Sequence, residues 1–355
     1  MEFPKRKRLF NLDLHISVIQ DIKYNLKTLY GDNVEIVNWS ISGHNWVFGN
    51  PTPDISIINQ SNWWKICPRI VEEFQKKYDD FLLGFDGFIV THTPVFCMLY
   101  EKYKKPIFLV NTCRYEQPYG QLLDKIGWEW LNAGLARMAK SGQLIAMSNN
   151  KADQEYLRLG AGVQSTWIPS LCLYTCASYN PLRDVAVVYG DRGLFPPSEK
   201  LVAKPDDGYS WKDLYTFKAI VHVPYEISTM SIFEQYSAGV PLFLPSARFY
   251  KSCISDSSMK LISIYSRTPL IAALQMALTD VDFWLTKADY YDSENMKFVY
   301  FYNSFEDCVR MIESFNESPA AREKRAAWLA ERRAGILARW AGIFSEFVVG
   351  GGSKN

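Results

Sequence analysis

The sequence predicts an α/β protein made of two Rossmann-like, doubly wound domains, and three observations lead there. Short apolar runs alternate with longer helical patterns from one end of the chain to the other, which is how parallel sheets built from βαβ units read. A length of 355 residues exceeds what one ordinary core organises and suits two domains of roughly 150 residues each. Finally, residues 169–183 lapse into small, polar and proline-containing sequence before a fresh apolar run opens, as a linker does.

Taken in order, residues 9–16 read as a first strand, 18–30 as a helix stopped by Gly31, and 34–39 as a second strand, completing one βαβ unit. Residues 54–58 are a candidate third strand, followed by helix 68–78, strand 87–91, helix 95–103 and strand 106–111. Helix 122–141, strand 144–148, helix 151–159 and a short strand 165–168 complete an N-terminal domain over 1–170. After a linker at 171–183, strand 184–189 opens a second domain running to 318, with strands 219–223, 242–245 and 298–301 and helices 231–238 and 268–277. Pro319 then introduces an amphipathic helix over 319–347. Its stripe of Trp328, Leu329, Ile336, Leu337, Trp340, Ile343 and Phe344 is expected to pack back onto the domains. Residues 348–355 form a glycine-rich tail.

Composition excludes several function classes. Lys plus Arg exceeds Asp plus Glu by 39 − 38 = 1, so no overall field draws in nucleic acid or an acidic membrane. Peripheral contact through the terminal helix is the most a membrane is expected to have. Seven scattered cysteines suit free thiols in a reducing compartment, and no apolar stretch reaches signal or membrane-spanning form. The expected location is cytoplasmic. Cys172 and Cys176 stand without a second pair, so they read as core or hinge residues rather than zinc ligands.

The most informative segment runs from His222 to Pro241: a strand, a loop, a short helix and a glycine stop at Gly239. A strand that empties into a helix start offers backbone N–H groups and a positive dipole end, which hold a phosphate without a metal. Ser228, Thr229, Met230 and Ser231 form that start. Glu234 lies one turn inside, within reach of hydroxyls attached to a phosphate held there, and Glu226 sits on the preceding loop. Each carboxylate has a plainer explanation. Ser231-x-x-Glu234 also matches a capping box, and Glu226 also reads as a solvated loop residue.

With Ala238-Gly239-Val240-Pro241 behind it, Glu226-x(7)-Glu234 resembles the E-x(7)-E signature of retaining glycosyltransferases of the GT-B fold. The resemblance implies two Rossmann-like domains facing each other across a cleft. It also implies that Glu234 binds the ribose hydroxyls of a nucleotide and that Glu226 lies by the transferred sugar. The strand-end His92-x-Pro94 is similar to one in mannosyltransferases of that superfamily, which would place His92 at the donor sugar. The family neutralises its diphosphate with an arginine and a lysine. Arg192 stands in the expected place, and Lys200, with Lys204 as the alternative, is the nearest lysine. His15, Ser42, Gly43 and His44, at two further strand ends, are candidate acceptor-side groups, and they resemble positions in glycosyltransferases of large DNA viruses and bacteria. Gly43 would permit close approach of a ligand.

The reaction these resemblances imply is transfer of a sugar from a nucleotide-diphosphate donor to a hydroxyl of a glycan or glycoconjugate, with retention and with neither metal nor cofactor. A sugar-nucleotide epimerase or phosphorylase on the same fold, or a non-catalytic sugar-nucleotide-binding protein, is the alternative. Asp280-Val281-Asp282, of the kind that holds a metal-bound diphosphate in another fold, falls too late in the chain and reads as helix-cap acidity.

Overall fold

The central strands are short and apolar because they are covered on both faces, and every strand that forms pairs in parallel. The computed structural model describes residues 6–48, 55–122, 124–205, 209–255, 257, 259 and 281–349. The chain divides into two compact units, the first reaching Ser170 and regaining the chain from Ile336, the second starting at Leu171.

The first unit holds β1 (Lys7–Asp13), α1 (Ile16–Tyr30), β2 (Val34–Ser40), α2 (Pro68–Leu83), β3 (Gly87–Thr91), β4 (Ile107–Asn111), α3 (Tyr119–Leu122), α4 (Lys125–Lys140), β5 (Leu144–Ser148), α5 (Lys151–Ala161) and β6 (Thr166–Trp167). Its sheet runs β2-β1-β3-β4-β5-β6. The second unit holds β7 (Arg183–Tyr189), β8 (Leu201–Ala203), α6 (Trp211–Leu214), β9 (Phe217–His222), α7 (Met230–Ser237), β10 (Leu242–Pro245), α8 (Ala247–Ser255), α9 (Val281–Leu285), β11 (Val299–Tyr302) and α10 (Phe305–Ser314). Its sheet runs β11-β10-β9-β7-β8. Counted from each unit's own first strand, the orders read 2-1-3-4-5-6 and 2-1-3-4-5. The order reverses between β1 and β3 in one sheet and between β7 and β9 in the other. Ligands of open α/β sheets bind beyond the carboxyl ends of the strands at such a reversal.

The fold class is therefore as expected, with two parallel-sheet α/β units and a long last helix, α11 (Pro319–Val349). The stripe on α11 is taken up by protein rather than by lipid. Ile336, Trp340, Phe344 and Val348 are buried, and Phe344 stacks on Phe108 of β4 with ring centroids 4.2 Å apart. Earlier on the helix, Trp328 donates its Nε1–H to the Tyr236 hydroxyl at 2.8 Å. Among the described residues no helix is long and apolar enough to cross a membrane.

Two local expectations fail. Residues 55–58 form no strand: Ile55 and Ile58 are buried, but the Asn62 side chain accepts from the Asn59 N–H and donates to the Ile57 carbonyl. Those bonds take the place of a ladder. Residues 95–103 form two 3-10 turns, Pro94–Leu99 and Glu101–Tyr103, rather than an α-helix. All six residues of the first turn are buried, so no polar face exists to set a 3.6-residue period. Helix 268–277 and Asp280 lie outside the described residues. Asp282, in the first turn of α9, pairs with Lys251.

Candidate functional site

The second sheet reverses at Tyr189 and His222, which pair across β7 and β9 and bring their rings within 5.3 Å. Gly190 comes next, at φ 144°. A Cβ there would lie 2.7 Å from the Val223 Cβ, so only glycine lets the two strand exits pass so closely. His222 is buried and anchored, its Nε2 2.5 Å from Gln235 Oε1 on α7, and burial lowers its pKa to about 4. It is a neutral fixture of the fold.

Helix α7 begins where the sequence placed a phosphate-binding start. Thr229 is its N-cap in extended conformation and makes no side-chain capping bond. Its Oγ1 lies 3.2 Å from Ser231 Oγ, while Ser228 and Met230 flank it half-buried. The capping-box explanation of Glu234 is excluded. With Thr229 as N-cap, Glu234 stands five residues into the helix, and its carboxylate accepts from elsewhere: from the Tyr174 hydroxyl on Oε1 and from Trp211 Nε1 at 3.1 Å on Oε2. The same carboxylate pushes up the pKa of Tyr189 and Tyr215, on top of the larger effect of their burial. Glu226 is half-buried on its loop. Its carbonyl accepts from the Tyr290 hydroxyl at 3.3 Å, and its charge adds to burial in raising Tyr225 and Tyr250.

Both cations need correction. Arg192 donates to three backbone carbonyls, those of Leu201 at 2.8 Å, Phe195 at 2.9 Å and Pro196 at 3.1 Å. It clamps the excursion between β7 and β8 instead of waiting for an anion. Lys200 precedes β8 and pairs with Asp184 near the start of β7, at the amino edge of the sheet, opposite to the edge where ligands bind. The lysine at the carboxyl edge is Lys204. It directly follows β8, its N–H reaches the Val188 carbonyl, and its ammonium lies 3.1 Å from the Tyr209 hydroxyl and 5.1 and 5.0 Å from the ring centres of Tyr189 and Tyr209. Glu234, Lys204, Tyr189, Tyr174, Tyr209 and Trp211 thus make one polar and aromatic group at the reversal of the second sheet.

At the reversal of the first sheet stand His15 and His92, ring centroids 5.2 Å apart. β1 ends at Asp13, and His15 is the N-cap of α1 rather than the last residue of the strand. His92 has φ 62°, a left-handed conformation that turns the chain sharply out of β3, and its carbonyl accepts from Cys113 Sγ at 2.8 Å. Burial, and then the neighbouring His15, lower the His92 pKa to about 3. Burial and then His44 lower that of His15. Both imidazoles are neutral at pH 7. Around them, His15 Nδ1, Thr91 Oγ1, Thr93 Oγ1, Asn111 Oδ1 and Thr112 Oγ1 are buried with no hydrogen-bond partner in the protein, where each such atom costs about 1–3 kcal/mol unless a water or ligand serves it.

Asp13 carries no local signature in the sequence, and its role shows only in the fold. It accepts from Asn38 at 2.8 Å and Ser40 at 2.9 Å; Ser40 Oγ accepts the Ser42 N–H, and Ser42 Oγ the His44 N–H, each at 3.2 Å. The chain of bonds holds the loop carrying Ser42 and His44, and burial raises the Asp13 pKa to about 6. Gly43 has a different reason from the expected one. A Cβ there would meet the Gln60 side chain at 2.5 Å, so Gln60, not a ligand, makes the close approach. No local pattern marks Trp211 and Tyr174 either.

No family model matches the chain, and no curated protein matches it. Solved structures to which it is similar include the glycotransferase of kitacinnamycin, 11% identical, covering 97% of this chain and 99% of that one, with a TM-score of 0.47. CalG4, the calicheamicin glycosyltransferase, is 10% identical, covering 98% and 99%, with a TM-score of 0.40. UDP-GlcNAc 2-epimerase from Neisseria meningitidis, bound to UDP-GlcNAc, is 9% identical, covering 86% and 97%, with a TM-score of 0.44. Similarity this distant transfers neither a residue's role nor an activity.

Proposed function

We propose that the protein is a glycosyltransferase of the GT-B type, moving a sugar from a nucleoside diphosphate sugar to a hydroxyl of a glycan or glycoconjugate, with the donor held by the second unit. The observation that carries the reading is Glu234. It is not a capping residue but a carboxylate fixed by two aromatic donors at the reversal of a parallel sheet, with a lysine in the same group. In this reading Glu234 accepts the ribose hydroxyls and the start of α7, Ser228 to Ser231, receives the diphosphate. Lys204 supplies the cation first sought at Arg192 and Lys200.

The acceptor oxygen attacks the anomeric carbon while the bond from that carbon to the diphosphate oxygen breaks, and the departing phosphate takes the acceptor proton. Lys204 and the N–H groups at the helix start stabilise the charge that develops on the leaving group. Glu226 stands by the transferred sugar. The neutral imidazoles of His92 and His15, with Ser42 and His44, offer hydrogen bonds to uncharged hydroxyls. Retention is the expected stereochemistry, by the resemblance of Glu226-x(7)-Glu234.

A thermal-shift screen of UDP, GDP, CMP and their sugar conjugates identifies the donor, because a ligand of the folded state raises its stability by mass action. Calorimetry of Glu234→Ala with the nucleotide found should then show a loss of about thirtyfold or more, the worth of hydrogen bonds to a charged group. Unchanged affinity would sink the assignment. Turnover of the donor without any acceptor would overturn transfer as the reaction.

A further inference from the structure

The Glu234 carboxylate is reached by donors from two separate segments. Tyr174 sits on a 3-10 turn, Leu173–Thr175, whose flanking residues Cys172 and Cys176 both have positive φ, 53° and 48°. Left-handed residues other than glycine cost free energy and persist only where their surroundings require them. Here the turn is joined to both ends of one helical stretch. Cys172 Sγ lies 3.9 Å from the carbonyl of Met230, the first residue of α7, and the Tyr174 hydroxyl reaches Glu234 a turn later. Trp211 is the first residue of α6, which is held by a reciprocal capping box between Ser210 and Asp213. Its ring meets that of Tyr174 edge-on, centroids 5.8 Å apart.

The two donors take different oxygens, Tyr174 on Oε1 and Trp211 on Oε2. The last torsion of a glutamate is broad, so one donor would leave the carboxylate free to rotate, while two rigid donors on opposite oxygens fix its plane. A carboxylate accepts at about four sites, so donors from the protein and from a ligand are compatible on it. A vicinal diol presents two hydroxyls, one for each oxygen, and it gains most from a plane fixed in advance. A sugar with a single hydroxyl gains little.

We infer that Tyr174 and Trp211 are positioning residues that hold the Glu234 carboxylate to take both hydroxyls of a ribose, so that the site selects ribonucleotides over 2′-deoxyribonucleotides. The inference rests on the proposed nucleotide-sugar site. It is tested by calorimetry on the full chain with UDP against dUDP and GDP against dGDP. For wild-type protein the ribonucleotide of the pair that binds should be preferred by about tenfold or more. Tyr174→Phe and Trp211→Phe should each weaken the ribonucleotide about tenfold or more and leave the deoxyribonucleotide nearly unchanged, the worth of one hydrogen bond to a charged group. Tyr174→Phe added to Glu234→Gln should change nothing further. Melting temperatures report that each variant is folded.

A preference preserved in both single variants, or equal weakening of both nucleotides, overturns the inference. So does wild-type protein that binds the pair without preference, although the nucleotide reading then stands. If none of the four nucleotides binds, the functional reading fails and the inference falls with it.

Discussion

The two sheets share the order of their first five strands yet differ in what they place at its reversal. In the first unit the pair at the reversal is electrically quiet: His15 and His92 are neutral and buried hydroxyls and amides surround them, while the nearby carboxyl of Asp13, with Lys23 facing it, is occupied by Asn38 and Ser40. In the second, a carboxylate and an ammonium stand among tyrosines and a tryptophan. Topology decides where a ligand sits, and the loops leaving the strands decide its charge. Under the proposed function the quiet reversal suits an uncharged hydroxyl acceptor and the charged one a diphosphate donor.

The most severe way to break the contrast is Gly190→Ala. The positive φ and the 2.7 Å approach to Val223 Cβ leave no rotamer to relieve the clash, because the neighbour is itself a branched atom on a strand exit. Strain and displacement together should cost about 3 kcal/mol of stability, read as a lowered urea midpoint and accompanied by loss of nucleotide binding. A variant as stable as the parent would show that the strand exits are not set by this contact.

His92 sharpens the other side. Its pKa is about 3 in the fold against an ordinary 6.5, so the unfolded chain takes up a proton between those values while the folded chain does not. Stability present above pH 6.5 is therefore lost as pH falls toward 3. Asp13, raised to about 6, and Glu116, raised to about 7 by burial, act oppositely: the fold holds their protons, and their destabilisation grows as pH rises. Urea denaturation at pH 7 and pH 5 should show that His92→Asn, which tolerates the left-handed backbone, removes about 1–2 kcal/mol of the acid loss. An identical loss in parent and variant would mean that the imidazole is already open to solvent.

Smaller again is the effect that separates the lysines. Lys204→Gln should weaken binding of a nucleoside diphosphate about tenfold while leaving the nucleoside itself nearly unaffected, as expected for one charge-assisted contact to phosphate. Lys200→Gln should leave both within a factor of two, since it breaks only an exposed pair with Asp184. Calorimetry on the two variants decides it, and the reverse result would restore Lys200.

The range of each interaction along the chain determines how legible it is in the sequence. Strands 87–91, 144–148 and 242–245 read to the residue because they are buried apolar runs between clear breaks. The carboxylate at 234 and the helix around it announce themselves through local spacing. Arg192 and Lys200 mislead because sequence gives order along the chain and not the direction of a strand edge. Three residues of β8 after Pro196-Pro197 place Lys204, not Lys200, at the carboxyl end. Tyr174 and Trp211 are 60 and 23 residues from Glu234, and a pairing at that range leaves no periodicity to find.

Gly43 tests the contrast at its weakest point. Beside Gly190 it looks like the same device, a glycine at a strand exit with a contact of 2.5 Å waiting for any Cβ. The neighbour, however, is the end of the Gln60 side chain, which has free torsions, and the backbone at Gly43 is not in the left-handed region. Gly43→Ala should therefore shift Gln60 and change stability by no more than about 0.5 kcal/mol, with nucleotide affinity untouched. If it instead proves as costly as Gly190→Ala, the loop held by Asp13, Ser40 and Ser42 is as rigid as the strand exits of the second unit. The difference between the two reversals would then lie in charge alone.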